Sequence, residues 1–364
     1  MSKKLKIVYY FGAGASYNAV PILNKLGDAM IAVADVVKEI ITSNYHALEH
    51  NEKLFNNVRL IEYVRKLKFY GEKALEFGSI DIYARRLFLL DNNAELDDLK
   101  LCISIFFDLW ENYYHKIHFS FNPAGYDRID KRYISLLSVL MEKTALNPKL
   151  NDSVTFLSWN YDLQLEMAYE SFMRSSKNSL LKINEDFSFI GNNENPNFDV
   201  IHLNGYRGII KMLDKFHQVL KRQNIKNEED CLSELVDFLD NYHSELSLGN
   251  TQIKYAWEDN SKAISNAIDI MLNADVLVVI GYSFPSFNRE IDTKLVRAFQ
   301  RGNRKRKIVY QDPNANPDIV KSIFKNSDNV LIIKDNLQQF YIPHEYLFPG
   351  DIKGSSTVMN PSVH

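Results

Sequence analysis

Five short runs constrain this chain more than anything else in it: KIVYYF (6–11), SVTFLSW (153–159), DVLVVIGY (275–282), KIVYQD (307–312) and VLIIK (330–334). Each is rich in β-branched and aromatic residues, and turn or polar residues bound it. A strand with one wet face alternates apolar and polar residues. Unbroken apolar runs of this length instead suit strands covered on both faces, as in a parallel sheet between helices. Stretches such as KAISNAIDIMLN (262–273) carry apolar residues at helical spacing between the runs. The expected fold class is therefore α/β, a Rossmann-like doubly wound parallel sheet. Residues 26–150 exceed a simple crossover and hold several amphipathic helical patterns in succession, among them DDLKLCISIFFDLWENYYHKI (97–117). They read as a large helical insertion, with the charge-rich stretch 207–250 as a further helical part of the same layer. The sheet domain is thus expected in two pieces, 1–25 and 151–335, followed by a C-terminal tail, 336–364, whose last dozen residues look loose.

Composition removes several classes of function. Lys and Arg number 43 against 46 Asp and Glu, for a net charge of −3, so the overall balance asks for neither nucleic acid nor an anionic membrane. The local cluster Arg301, Arg304, Lys305, Arg306 and Lys307 is expected to be a solvated turn that complements the preceding helix end. Two cysteines, Cys102 and Cys231, supply neither a four-thiolate zinc site nor a disulfide framework. No metal is expected. The basic start MSKKLKIVYY leads straight into a glycine stretch and does not resemble a signal peptide, and no run of about 18 apolar residues occurs. A cytoplasmic location is the expectation. The aromatics Phe106, Phe107, Trp110, Tyr113 and Tyr114, at helical spacing, read as core or subunit contact, and Trp257 as packing.

Chemistry-bearing residues gather where the strands end. Gly12-Ala13-Gly14-Ala15-Ser16 follows the first run; a strand ending in Gly-x-Gly and turning into a helix presents N–H groups to an anion and lets a pyrophosphate come close. The third small residue of the usual dinucleotide fingerprint is replaced by Tyr17, so a tight structural turn is the competing reading. Asn160 and Asp162 follow the second run, where open α/β sheets bind ligands; Asp162 is equally suited to cap the helix that begins LQLEMAYE. Ile201-His202-Leu203-Asn204-Gly205 sets a histidine ahead of a glycine turn, a position that also suits a satisfied core residue. Gly281-Tyr282-Ser283-Phe284 closes the most apolar run.

Together, in this order, these motifs resemble the sirtuin family. Gly12-Ala13-Gly14-Ala15-Ser16 is similar to the sirtuin phosphate loop, Trp159-Asn160-Tyr161-Asp162 to its N-(Y/I)-D element, His202-Leu203-Asn204-Gly205 to its catalytic H-x-x-G turn, and Gly281-Tyr282-Ser283-Phe284 to its G-(Y/T)-S-(F/L) strand end. The four-cysteine zinc module of the protein deacetylases is absent, and Val20-Pro21-Ile22-Leu23-Asn24 keeps only the proline of their P-D-F-R stretch. In lacking the zinc module and in carrying helical additions, the chain is more similar to the bacterial sirtuin-like effectors of anti-phage defence. The resemblance implies an NAD glycohydrolase that cleaves NAD to ADP-ribose and nicotinamide and so depletes the cofactor. It implies NAD as substrate, with Asn160, His202 and Asp162 as catalytic residues. Asn160 would orient water or ribose, His202 would accept a proton, and Asp162 would hold the ribose or brace the loop. Gly12, Ala13, Gly14, Ala15 and Ser16 would face the pyrophosphate, and Gly281, Ser283, Asp312 and Asn314 the adenosine side. The alternatives are an ADP-ribosyl or acyl transferase and a non-catalytic NAD or ADP-ribose sensor. Homo-oligomerisation through the helical insertion, and control by a separately encoded regulator such as a HerA-like ATPase, complete the expectation.

Overall fold

The computed structural model describes residues 5–43, 54, 57–113, 125–174, 179–190, 198–213, 215–221, 228–246, 249–301, 306–325 and 330–348. Strand β1 (Ile7–Phe11) leads through two 3-10 turns, Ala13–Ser16 and Leu23–Lys25, to a run of helices. These are α1 (Leu26–Ser43), α2 (Val58–Phe77), α3 (Ile80–Leu89), α4 (Asn93–Tyr113) and α5 (Lys131–Leu140). A two-residue hairpin, β2 (Met141–Glu142) with β3 (Lys149–Leu150), returns the chain to the sheet as β4 (Val154–Ser158). Then come α6 (Gln164–Glu170), α7 (Leu180–Asp186), β5 (Val200–His202), β6 (Ile209–Met212), β7 (Lys215–Gln218), α8 (Glu228–Asn241) and β8 (Asn250–Thr251). The chain continues with α9 (Ser261–Asn273), β9 (Val276–Ile280), α10 (Arg289–Phe299), β10 (Lys307–Gln311), α11 (Pro317–Ile323), β11 (Val330–Ile333) and α12 (His344–Leu347).

The main sheet is parallel, with order β11-β10-β9-β1-β4-β5. All five apolar runs are strands of it. The sixth strand, β5, has only three residues at the edge, too few to stand out as a run. Alternation along β1 divides the core between two layers. Ile7, Tyr9 and Phe11 pack with α5, α6 and α7, whereas Val8 and Tyr10 pack with α9, α10 and α11. The doubly wound expectation therefore holds. A third apolar cluster, built from α1 to α4 and α8, takes in Tyr161 just beyond β4 and Tyr255.

The stretch 207–250 departs from its expected helical character. Among its described residues only α8 and the π-turn that follows it, Tyr242–Leu246, are helical; β6 and β7 form an antiparallel hairpin that β8 extends. Gly208 at φ +76° and Leu213 at φ +52° mark its turns. IIKM pairs antiparallel with KFHQ, Ile210 level with His217 and Lys211 with Phe216, a long-range pairing that the charge content of the wider stretch does not signal. Of the basic cluster, Arg304 and Lys305 lie outside the described residues, as do Tyr114 and the tail from 349 onward. Arg306 turns back onto the protein, donating to the carbonyls of Ala298 and Leu272.

Candidate functional site

Register fixes where the site lies. Phe11 is level with Ser158 and Ile280, Ser158 with His202, and Ile280 with Gln311, so the residues just beyond them share one edge of the sheet. A cleft of about 390 Å3 opens there. It is lined by residues from the ends of five strands and, from the helical layer, by Phe107 and by Gly78, Ser79 and Asp81. Gly78, left-handed at φ +82°, ends α2, and the Ser79 hydroxyl accepts from Ile82 N–H to cap α3. That tight corner carries Asp81 to the cleft wall.

The floor is two loops packed backbone on backbone. Gly12 N–H donates to Ile280 O (3.0 Å), Gly14 N–H to Gly281 O (2.9 Å), and Ala15 N–H back to Gly12 O (2.9 Å). A Cβ at Gly12 would lie 2.6 Å from Gly281 O, one at Gly14 2.9 Å from Gly281 Cα, and one at Gly281, itself at φ +59°, 2.8 Å from Gly14 Cα. The glycines are thus required by each other. These three N–H groups are used inside the protein, as the competing reading of a tight structural turn expects, and the loop makes one 3-10 turn, with α1 starting only at Leu26. Ala13 and Gly14 line the cleft, while Gly12, Ala15 and Ser16 do not. Ser16, almost fully buried, serves the next loop instead.

That loop, after β4, carries Asn160 and Asp162, both lining the cleft. Ser16 Oγ donates to Asp162 Oδ1 (3.0 Å), receives Asn160 Nδ2 (3.3 Å) and pairs with the Tyr133 hydroxyl (3.0 Å). Asp162 Oδ1 also accepts Gln164 N–H (3.2 Å), so it braces the start of α6 while facing the cleft. Burial, reinforced by the negative charge of Glu111, pushes its carboxyl up to about 7. Behind the loop, Arg207, fully buried, pairs with Asp108 and Glu111 of α4. Glu111 also accepts Leu163 N–H and Gln164 Nε2. This ion cluster fastens the helical layer to the loop that presents Asn160.

His202 is not in the cleft. Val200 packs toward α5, α6 and α7, and period-two alternation turns His202 to the same side. Its Nε2 lies 2.8 Å from Glu166 Oε1 and its Nδ1 3.2 Å from the Asn160 carbonyl. Burial, the largest influence, works to lower its pKa, but the charge and hydrogen bond of Glu166 outweigh it and the net direction is upward. Both neighbours are acceptors. An imidazolium satisfies both and has no lone pair with which to take a proton. His202, expected as a proton acceptor, thus lies beneath the Asn160 backbone and against Glu166.

The cleft contains residues that the motifs passed over. Asn204, one position before Gly205, lines it; its Nδ2 donates to Trp159 O (3.3 Å), and its buried Oδ1 has no partner. The signal is present in the sequence, since Asn204 sits inside the quoted H-L-N-G turn. Tyr282 and Trp159 stack at 6.1 Å with planes 12° apart and form one wall. Both are held by the buried Asp292, which accepts Tyr282 OH (2.9 Å), Trp159 Nε1 (3.2 Å) and Tyr10 OH (2.5 Å) and whose carboxyl burial pushes up to about 7. Asp81 is pushed up to about 6 by burial and receives the Tyr161 hydroxyl (3.5 Å). Gly281, Ser283, Asp312 and Asn314 line the far end, where Asn314 N–H donates to Asp312 Oδ1 (2.7 Å) and burial raises the Asp312 carboxyl.

Among the described residues no group of three or more His, Cys, Asp or Glu side chains is placed to hold a metal ion, and Cys102 and Cys231 are buried free thiols. No described helix is long and apolar enough to cross a membrane.

The chain matches no family model and no curated protein. Among solved structures it is similar to one described as "Structure of Sir2Tm bound to a propionylated peptide", with 11% identity and a TM-score of 0.37 over 92% of this chain and 89% of that one. "Sir2 bound to acetylated peptide" aligns with 12% identity and a TM-score of 0.39 over 91% and 88% of the two chains. "Structural Basis for the Mechanism and Regulation of Sir2 Enzymes" aligns with 11% identity and a TM-score of 0.37 over 91% and 88%. At these values no residue's role passes from them to this chain.

Proposed function

We propose that the cleft binds NAD and hydrolyses its nicotinamide–ribose bond. One observation carries the reading: the cleft lies beside β1, where the strand order reverses between β4 on one side and β9 on the other, the crevice in which open α/β sheets take dinucleotides. The two ends of the cleft differ in chemistry. Asp312, Asn314 and Ser283 offer acceptors and donors for an adenosine ribose; Asn160, Asp162 and Asn204 cluster at the other end, suited to the scissile bond.

Nicotinamide leaves as a neutral base from a cationic ring, so no acid is needed. Water attacks C1′ as the C1′–N bond breaks, its electron pair departs with nicotinamide, and the water proton passes to Asp162. A carboxyl with a pKa of about 7 is well matched to that task near neutrality. The amides of Asn160 and Asn204 orient the water and the ribose hydroxyls. His202, through the Asn160 carbonyl, and Ser16, through the Asn160 and Asp162 side chains, hold them in place.

In this reading the chain is a NAD-depleting defence effector. Assembly through the helical layer, where Ile61 and Phe69 are exposed, and a separately encoded HerA-like ATPase are its proposed controls. The test is NAD consumption by the full chain, with nicotinamide and ADP-ribose separated, beside Asn160→Ala. Turnover that falls at least about 100-fold in the variant supports hydrolysis. Binding of NAD without turnover by any assembly favours the sensor reading, and no binding overturns the proposal.

A further inference from the structure

A second cavity, of about 250 Å3, lies at β5, the last strand of the sheet, away from the NAD cleft. Its inner surface is aromatic. Phe189 and Tyr206 meet edge to face at 5.6 Å, the His202 ring lies 5.6 Å from Tyr206, and Phe198 and Phe216 complete the lining. Three lysines line the same cavity from three separate places in the chain: Lys211 on β6, Lys254 ahead of α9, and Lys262 in the first turn of α9. Among the described residues no carboxylate lines it. In a chain with net charge −3, that is a local concentration of positive charge against apolar rings.

Lys211 and Lys262 are exposed. Lys211 stands over the Phe216 ring at 5.5 Å, so cation and aromatic are already side by side. The wall around them is firmly built: Asn260 donates its side-chain amide to Leu203 O (2.8 Å), and Lys254 N–H donates to Asn204 O (2.7 Å). Gly205, at φ +69°, lies so close to Gln252 that a Cβ would come 2.7 Å from its carbonyl carbon.

We infer that this cavity is a binding site for a nucleoside monophosphate, with the base against Phe189, Tyr206 and Phe216 and the phosphate at Lys211, Lys254 and Lys262. Aromatic faces accept any base, and clustered ammonium groups supply the charge that a phosphate requires. His202 belongs to both sites: its ring lines this cavity and its Nδ1 holds the Asn160 carbonyl, so an occupant here touches the rear of the loop that serves the cleft.

The test is calorimetric titration of the full chain with AMP, beside the double variant Lys254→Glu/Lys262→Glu and, for the cleft, Asp312→Ala. The expected result is saturable binding at two classes of site: one that weakens at least tenfold in the double variant and persists in Asp312→Ala, and one, at the adenosine end of the cleft, that Asp312→Ala alone removes. Absence of AMP binding, binding indifferent to the lysines, or loss of all binding in Asp312→Ala would each overturn the inference. Inorganic phosphate titrated alone is expected to bind at least tenfold more weakly than AMP; equal affinity would remove the base from the site and sink the nucleotide assignment. Binding, not turnover, is read throughout, so the result stands apart from whether the cleft hydrolyses NAD.

Discussion

At the scale of single residues, Asp162 and not His202 lines the cleft, and the proposed hydrolysis therefore takes Asp162 as its proton acceptor. A histidine beside a glycine turn reads as a proton acceptor, yet His202 is fixed between Glu166 and the Asn160 carbonyl, while Asp162 faces the cleft with its carboxyl raised to about 7. Turnover should therefore rise as pH passes about 7, because only ionised Asp162 can take a proton, and Asp162→Asn should abolish it. His202→Gln should lower kcat by up to about 100-fold, the scale of a misplaced catalytic group, and leave the position of that limb unchanged. Initial rates from pH 5.5 to 8.5 check both, and a limb that vanished with His202 rather than Asp162 would return the base to His202. The strand ends were legible in the sequence because glycine and short polar residues after an apolar run have few other uses. Which way His202 points was not. That depends on strand parity at β5, a three-residue element whose register is visible only against β4.

At the scale of elements, the glycines after β1 and β9 act as one joint. The sequence shows Gly12-Ala13-Gly14 as a phosphate loop; the structure shows its N–H groups bonded to Ile280, Gly281 and Gly12 itself. Long-range backbone pairing of this kind leaves no local pattern to read. Gly281→Ala adds both a Cβ against Gly14 and a penalty at φ +59°. We expect it to destabilise the chain by about 1–3 kcal/mol or more, the range for overpacking and for a side chain at an unsuitable backbone angle, measured as a fall in the urea midpoint. An unchanged midpoint would mean the two loops are not in contact. The helical insertion was legible as helices from their periodicity, but not as a contributor to the site. Asp81 reaches the cleft only because α2 ends at Gly78 and α3 starts at Ser79, and Arg207 ties α4 to the Asn160 loop through partners about 100 residues away.

At the scale of the whole molecule, buried acids set the pH response of stability. Asp162 and Asp292 are pushed up to about 7, and Asp81 and Asp199 to about 6, each chiefly by burial. Between pH 4 and 7 the folded chain holds protons that the unfolded chain has released, so stability falls as pH rises through that window. His202, raised by Glu166, acts in the same direction, since its stabilising proton is lost as pH climbs through its folded value. Asp292→Asn keeps the acceptor oxygen and removes the charge; its Tm should change less between pH 5 and 7.5 than that of the natural chain. At about 1.4 kcal/mol per unit, Asp292 accounts for about 4 kcal/mol at most. Parallel slopes in thermal melts would show that Asp292 stays charged throughout. The same molecule has a genetic property that follows from its floor. Gly12 and Gly14 are encoded far from Gly281, yet a Cβ at any one of the three would crowd the backbone of the partner loop. A side chain gained near one end of the gene is therefore resisted by backbone encoded near the other.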